Sequence, residues 1–152
     1  MPVFAPYVDQ GEEQIELGGE EFFPGTRKHK AFIHRKKDSP LTNRACWMYF
    51  HGGGAVGGDA SQNIPMMNRI AQECDVTVIN CNYALAPEHP APQGAHSAYA
   101  CLMDVLKNHS KYGINPRRVA IFGESGGAYI VDCVGMMLAE RNESDLVKFM
   151  LL

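Results

Sequence analysis

Gly123-Glu124-Ser125-Gly126-Gly127 reads Gly-x-Ser-x-Gly and directly follows an apolar, β-branched run, Val119-Ala120-Ile121-Phe122. A small-residue stretch, Ala128-Tyr129-Ile130-Val131, comes next and opens a helical pattern. Strand, sharp turn, serine, helix is the context that a nucleophile elbow requires. Gly123 and Gly127 leave room for a strained turn that holds the serine side chain out above a sheet.

The rest of the chain supplies that sheet. Residues 45–50 (Ala-Cys-Trp-Met-Tyr-Phe) form a continuous apolar run between Arg44 and a glycine cluster, which suits a strand buried on both faces. Residues 64–73 place Ile64, Met67, Ile70 and Ala71 at helical spacing, with Pro65 tolerable in a first turn. Residues 76–80 are β-branched and predict the next strand. Residues 96–108 predict a helix, with Ala95, Tyr99, Leu102, Val105 and Leu106 on one face. Gly113 and Asn115-Pro116 then close the connection to the strand 119–122. Residues 127–141 predict a further helix with Ile130, Val134, Met137 and Leu138 inward.

Strands alternating with helices indicate βαβ units, hence an α/β fold with a mainly parallel sheet and flanking helices. Right-handed crossovers bring the carboxyl ends of the parallel strands to one edge, where sites form in open α/β sheets. Ser125 and the glycines after Phe50 both fall on that edge. Before Arg44 the pattern is irregular, with short strands expected at 13–17 and 29–35. The expected organisation is one partial domain over 1–152, with residues 1–44 irregular and the core motifs in 45–152. The tail, residues 146–152, is apolar and predicts the opening of one more parallel strand.

Composition removes several classes of function. The chain has 152 residues, 45% hydrophobic and 20% charged, with a net charge of −3. This balance offers no electrostatic footprint for nucleic acid or an anionic membrane. The basic residues Arg27, Lys28, Lys30, Arg35, Lys36 and Lys37 flank Phe32-Ile33 and predict a solvated strand rim. Met1 to Gly19 carries four acidic residues and no long apolar run, so neither a signal peptide nor a membrane span is expected there. The five cysteines have no CxxC spacing and predict buried, reduced thiols in a cytoplasmic protein rather than disulfides or a metal site.

His51-Gly52-Gly53-Gly54 is the second chemical motif. It follows a buried strand and so lies on the same sheet edge as Ser125. An acyl-transfer enzyme stabilises the oxyanion of its tetrahedral intermediate with backbone N–H groups, and glycines let the reacting atoms approach closely. The N–H of Gly126, after the nucleophile, is a further donor. A phosphate-binding loop is the competing reading, but there is no Walker-type lysine and the spacing is not GxGxxG. The third motif is Tyr83-Ala84-Leu85-Ala86-Pro87-Glu88-His89-Pro90-Ala91-Pro92, whose three prolines stiffen a loop after the strand 76–80.

These three segments, in this order and spacing, resemble the hormone-sensitive-lipase-like α/β-hydrolases, a family that includes bacterial carboxylesterases and arylacetamide deacetylases. The resemblance covers about residues 45–152. It implies a serine esterase or lipase fold, Ser125 as nucleophile, and Gly53, Gly54 and Gly126 as oxyanion donors. It also implies that His51 orients the glycine loop, with Gly52, Gly123 and Gly127 shaping the two turns. The partner is then a small-molecule or lipid ester, with no metal or organic cofactor. The chain departs from the family pattern at Glu124 (usually Asp), Gly126 (usually Ala), Ala84 (usually Arg) and Ala128-Tyr129 (usually small).

In α/β-hydrolases the catalytic acid and then the histidine follow the serine in sequence. After Ser125 this chain offers Asp132, Glu140, Glu143 and Asp145, and no histidine. Asp132 falls two helical turns down and away from the sheet edge. Two readings follow. One is the N-terminal portion of a serine hydrolase, with a hydrophobic sheet edge that promotes self-association. The other is a non-catalytic protein that binds an acyl group.

Overall fold

The computed structural model describes residues 13–152. Most of the Met1–Gly19 stretch, and the expectation attached to it, lies outside the described residues. The strands are β1 (Glu13–Gly18), β2 (Lys28–His34), β3 (Arg44–Phe50), β4 (Thr77–Cys81), β5 (Ile114–Gly123) and β6 (Phe149–Leu151). The helices are α1 (Ile64–Cys74), α2 (Gln93–Lys107) and α3 (Gly126–Glu140), with short 3-10 turns at Ala60–Asn63 and Ser144–Leu146. One sheet runs in the order β1-β2-β4-β3-β5-β6. The pairs β3/β4, β3/β5 and β5/β6 are parallel, while β1/β2 and β2/β4 are antiparallel.

The two faces of β3 divide by the two-residue period of a strand. Cys46, Met48 and Phe50 are buried beneath α2 and α3 with Ile79, Ile121, Leu102, Val131 and Val134. Tyr49 joins Val76 and Val78 on the opposite face, beneath Met67 and Ala71 of α1. Burial on both sides explains why β3 reads as an unbroken apolar run.

Register places the site. Phe50 pairs with Cys81 on one side and Gly123 on the other. His51, Asn82 and the elbow therefore leave the sheet side by side at one edge.

Four details differ from the sequence-based expectation. The basic N-terminal stretch does not form a rim throughout: β2 is an inner strand, and although Lys28 is exposed, His29 and His34 are buried. The two early strands form where expected, but the region around them is less irregular than expected, since β2 joins the main sheet by pairing with β4 through Ala31–Cys81 and its neighbours. The helix expected from His96 begins at Gln93, directly after Pro92, with no side chain capping it. Strand β5 begins at Ile114 and carries Pro116; its early part pairs with β3 only at Ile114–Arg44, beyond a register shift.

The apolar tail does form a parallel strand beside β5, and Phe149 and Leu151 remain 58% and 49% exposed on it. Among the described residues, no helix is long and apolar enough to cross a membrane.

Candidate active site

Ser125 has φ 52° and ψ −119°, a conformation that L-residues rarely adopt, immediately before the first residue of α3. The surrounding glycines account for how the turn is held. A Cβ on Gly123 would lie 2.5 Å from the Gly127 carbonyl, and one on Gly127 would lie 2.0 Å from the Phe50 oxygen. The turn is thus pressed between the start of α3 and the end of β3. The Ser125 side chain makes no capping bond to the helix and is exposed.

The glycine loop after β3 closes onto this elbow. Gly53, Gly54 and Ala55 run at φ 124°, 65° and 60°. The Gly53 carbonyl accepts hydrogen bonds from the N–H groups of Val56 (3.2 Å) and Gly57 (3.1 Å), which tightens the loop. A Cβ on Gly126 would stand 2.6 Å from Gly54 N and 2.8 Å from Ala55 N. The methyl of the family's usual alanine would collide there, so the bare Gly126 lets the loop sit against the elbow. Among the described residues, the N–H groups of Gly53, Gly54 and Gly126 have no backbone acceptor outside regular secondary structure.

His51 is buried within this loop. Its Nδ1 is 2.7 Å from the Gly52 carbonyl, and its ring stacks on Tyr83 at 4.7 Å between centroids. Tyr83 donates its hydroxyl proton to the His51 carbonyl at 2.8 Å. The Ala86 N–H donates to the Ala55 carbonyl at 2.9 Å. The proline-rich loop therefore braces the glycine loop at both ends. Sequence reading identified the segment but not this contact, which joins residues distant along the chain.

The other candidates do not converge on Ser125. Asp132 is exposed on α3, and Glu143 accepts a hydrogen bond from the Tyr99 hydroxyl. His96 lies inside α2 and packs against Phe23 at 4.4 Å. His34 pairs with Asn68 at 2.6 Å, and His109 with the Ile114 carbonyl at 3.2 Å. Glu124 is exposed, and a Cβ on Gly52 would lie 3.3 Å from its carbonyl oxygen. Burial first, and then the Glu124 carboxylate, pushes the Tyr49 phenol well above its ordinary range. The five thiols are free. Burial raises those of Cys46, Cys81 and Cys101 far above the thiolate range, so they are poor nucleophiles.

A groove of about 440 Å³ opens beside the glycine loop, walled by Gly54–Val56, the first turn of α2 and the outer face of α3. No single stretch of sequence forms it.

A family model for the α/β-hydrolase fold matches residues 47–152. The chain belongs to the α/β-hydrolase family. Human arylacetamide deacetylase-like 3 is 28% identical over 120 residues, which are 79% of this chain and 30% of that protein. Arylacetamide deacetylase of Oryctolagus cuniculus is 33% identical over 113 residues, 72% of this chain and 28% of that protein. An esterase from Pyrobaculum calidifontis superimposes with a TM-score of 0.82 at 27% identity, covering 93% of this chain and 42% of that one. This hydrolase chain therefore resembles carboxylesterases and deacetylases in sequence and esterases in structure. It spans less than a third of either deacetylase relative.

Proposed function

We propose that this chain carries the nucleophile and oxyanion hole of a carboxylic ester hydrolase acting on a small-molecule or lipid ester. Ser125 Oγ attacks the ester carbonyl carbon, and the N–H groups of Gly53, Gly54 and Gly126 hold the oxyanion. The alcohol leaves, and water then releases the acid from the serine. The observation that carries this reading is the backbone of Ser125 at φ 52° and ψ −119°, opposite a glycine loop packed on Gly126. Such strain costs about 1–3 kcal/mol and persists where the surroundings enforce it, commonly at reacting residues.

No histidine follows Ser125 in these 152 residues. The acid and base that the family order places after the serine are not among them. Residues 1–152 are accordingly read as one partial hydrolase domain. As these residues stand, ester turnover is expected near background, because loss of the base costs several orders of magnitude.

The test supplies a base from solution. Imidazole added with p-nitrophenyl acetate takes the Ser125 hydroxyl proton, and p-nitrophenolate release should exceed that of the Ser125→Ala variant under the same conditions. Equal rates for the two proteins refute Ser125 as nucleophile. Ester binding without rescued turnover favours the second reading, a protein that binds an acyl group, which the apolar groove supports. Substantial Ser125-dependent turnover without imidazole contradicts the expectation of near-inactivity.

The exposed apolar face of β6 is further proposed to drive self-association. Sedimentation that does not change with concentration would refute that.

A further inference from the structure

Tyr129 stands where a small residue is expected, and it belongs neither to the nucleophile turn nor to the oxyanion loop. It lies one helical turn after Ser125, and its N–H donates to the Ser125 carbonyl at 3.2 Å. Four residues of helix rise about 6 Å, so its Cα follows closely behind the nucleophile. Its side chain is 59% exposed, a large aromatic surface left open to water. Val56 and Met136 are also strongly exposed, at 63% and 54%. All three line the same groove, with Cys133 between Tyr129 and Met136 along α3 and Met137 beside Met136. Exposed apolar residues gathered around one concave surface mark a binding site rather than scattered surface.

The groove begins at Gly54–Val56. Gly54 and Ala55 are the residues whose nitrogens occupy the space that a Cβ on Gly126 would need. A carbonyl held by the glycine-loop amides therefore has one limb starting at the mouth of an apolar groove. We propose that Tyr129 is a specificity-determining residue, its ring forming the wall over which the apolar limb of the ester passes into this groove. The inference rests on the hydrolase reading for the position of the carbonyl. The volume, about 440 Å³, lies within the usual range of small-ligand sites. The Glu140 carboxylate at the α3 end disfavours a limb with a terminal anion.

The test measures binding, which does not need a base. The chain is labelled at its methionine methyl carbons and titrated with ethyl butyrate and ethyl octanoate. The Met136 and Met137 signals should move, while that of Met67, buried on the inner side of α1 against the other sheet face, should not. Affinity should rise by up to about fourfold per added methylene, as complete burial of each group implies. Tyr129→Ala should weaken ethyl octanoate binding about tenfold and flatten that chain-length dependence, whereas Tyr129→Phe should retain it. Met136→Gln, a second variant at the same groove, should also weaken the longer ester.

No response at Met136 and Met137, or an equal response in Tyr129→Ala, overturns the proposal. Shifts at these methyls that follow protein dilution and ignore the ester also overturn it, by making the groove an interface between copies. Imidazole-rescued turnover with no groove response sinks this inference and leaves the hydrolase reading intact. A Tyr129-dependent groove response without rescued turnover supports the groove assignment and counts against the hydrolase reading.

Discussion

Replacing Gly127 with alanine would place a methyl carbon 2.0 Å from the Phe50 carbonyl oxygen and 2.7 Å from that of His51. Ordinary contact begins near 3.4 Å, so the two elements must part by more than an ångström. Neither can yield locally. Phe50 ends β3 between β4 and β5, paired with Cys81 and Gly123. Gly127 is the second residue of α3, whose buried face rests on that sheet. Overpacking a rigid site costs about 1–3 kcal/mol and more where backbone meets backbone. We expect at least about 3 kcal/mol here, or a fall in Tm of roughly 6–12 °C for a chain of this size. Gly57→Ala is the control: a Cβ there meets nothing within 4 Å. Gly126→Ala should fall between them, because its nearest contacts are longer, 2.6 Å to Gly54 N and 2.8 Å to Ala55 N, and these atoms belong to a loop rather than to a strand paired on both sides. Thermal and urea unfolding followed by far-UV circular dichroism rank the three. The reasoning fails if Gly127→Ala melts within about 1 °C of the parent, or if Gly57→Ala loses as much.

Other consequences are testable by similar means. Ser125→Gly should raise stability by about 1 kcal/mol, since glycine relieves the left-handed backbone; Ser125→Ala should not, and equal urea midpoints for the two would contradict the strain. Tyr83→Phe keeps the stack on His51 but removes the 2.8 Å hydrogen bond to its buried carbonyl. It should cost about 1–3 kcal/mol and speed amide exchange at Gly54 and Ala55, and unchanged exchange would exclude the brace. His29 is pushed down from 6.5 to about 4 by burial, then by Arg27 and His89. The unfolded chain therefore binds the extra proton first, and stability should fall as pH drops from 6.5 toward about 4. His29→Gln should flatten that slope in pH-dependent urea titrations; an unaltered slope would assign the effect to other groups.

The elements that sequence located best were those governed by local rules. β3 is buried on both faces, so its apolar run is continuous and its start was legible to within one residue. The start of α2 was displaced because Pro92 and Gln93 give no polar cap to read. The early part of β5 was missed because Pro116, Arg117 and Arg118 carry no strand signature, and only Ile114 there is paired with β3. The basic residues around β2 concealed an inner strand, because the strand's neighbours, not its composition, bury His29 and His34.

The sequence by itself determined the elbow, the glycine loop and the α/β order of elements. Each depends on steric and hydrophobic rules that act over a few residues. Three features required the tertiary structure: the brace of Tyr83 on His51, the contact of the glycine loop with Gly126, and the groove beside Tyr129. All three join surfaces from different elements, and such contacts depend on sheet register and helix packing rather than on any local pattern. The pairing of Phe50 with both Cys81 and Gly123 is what brings them together. It turns a motif around Ser125 into a site with walls.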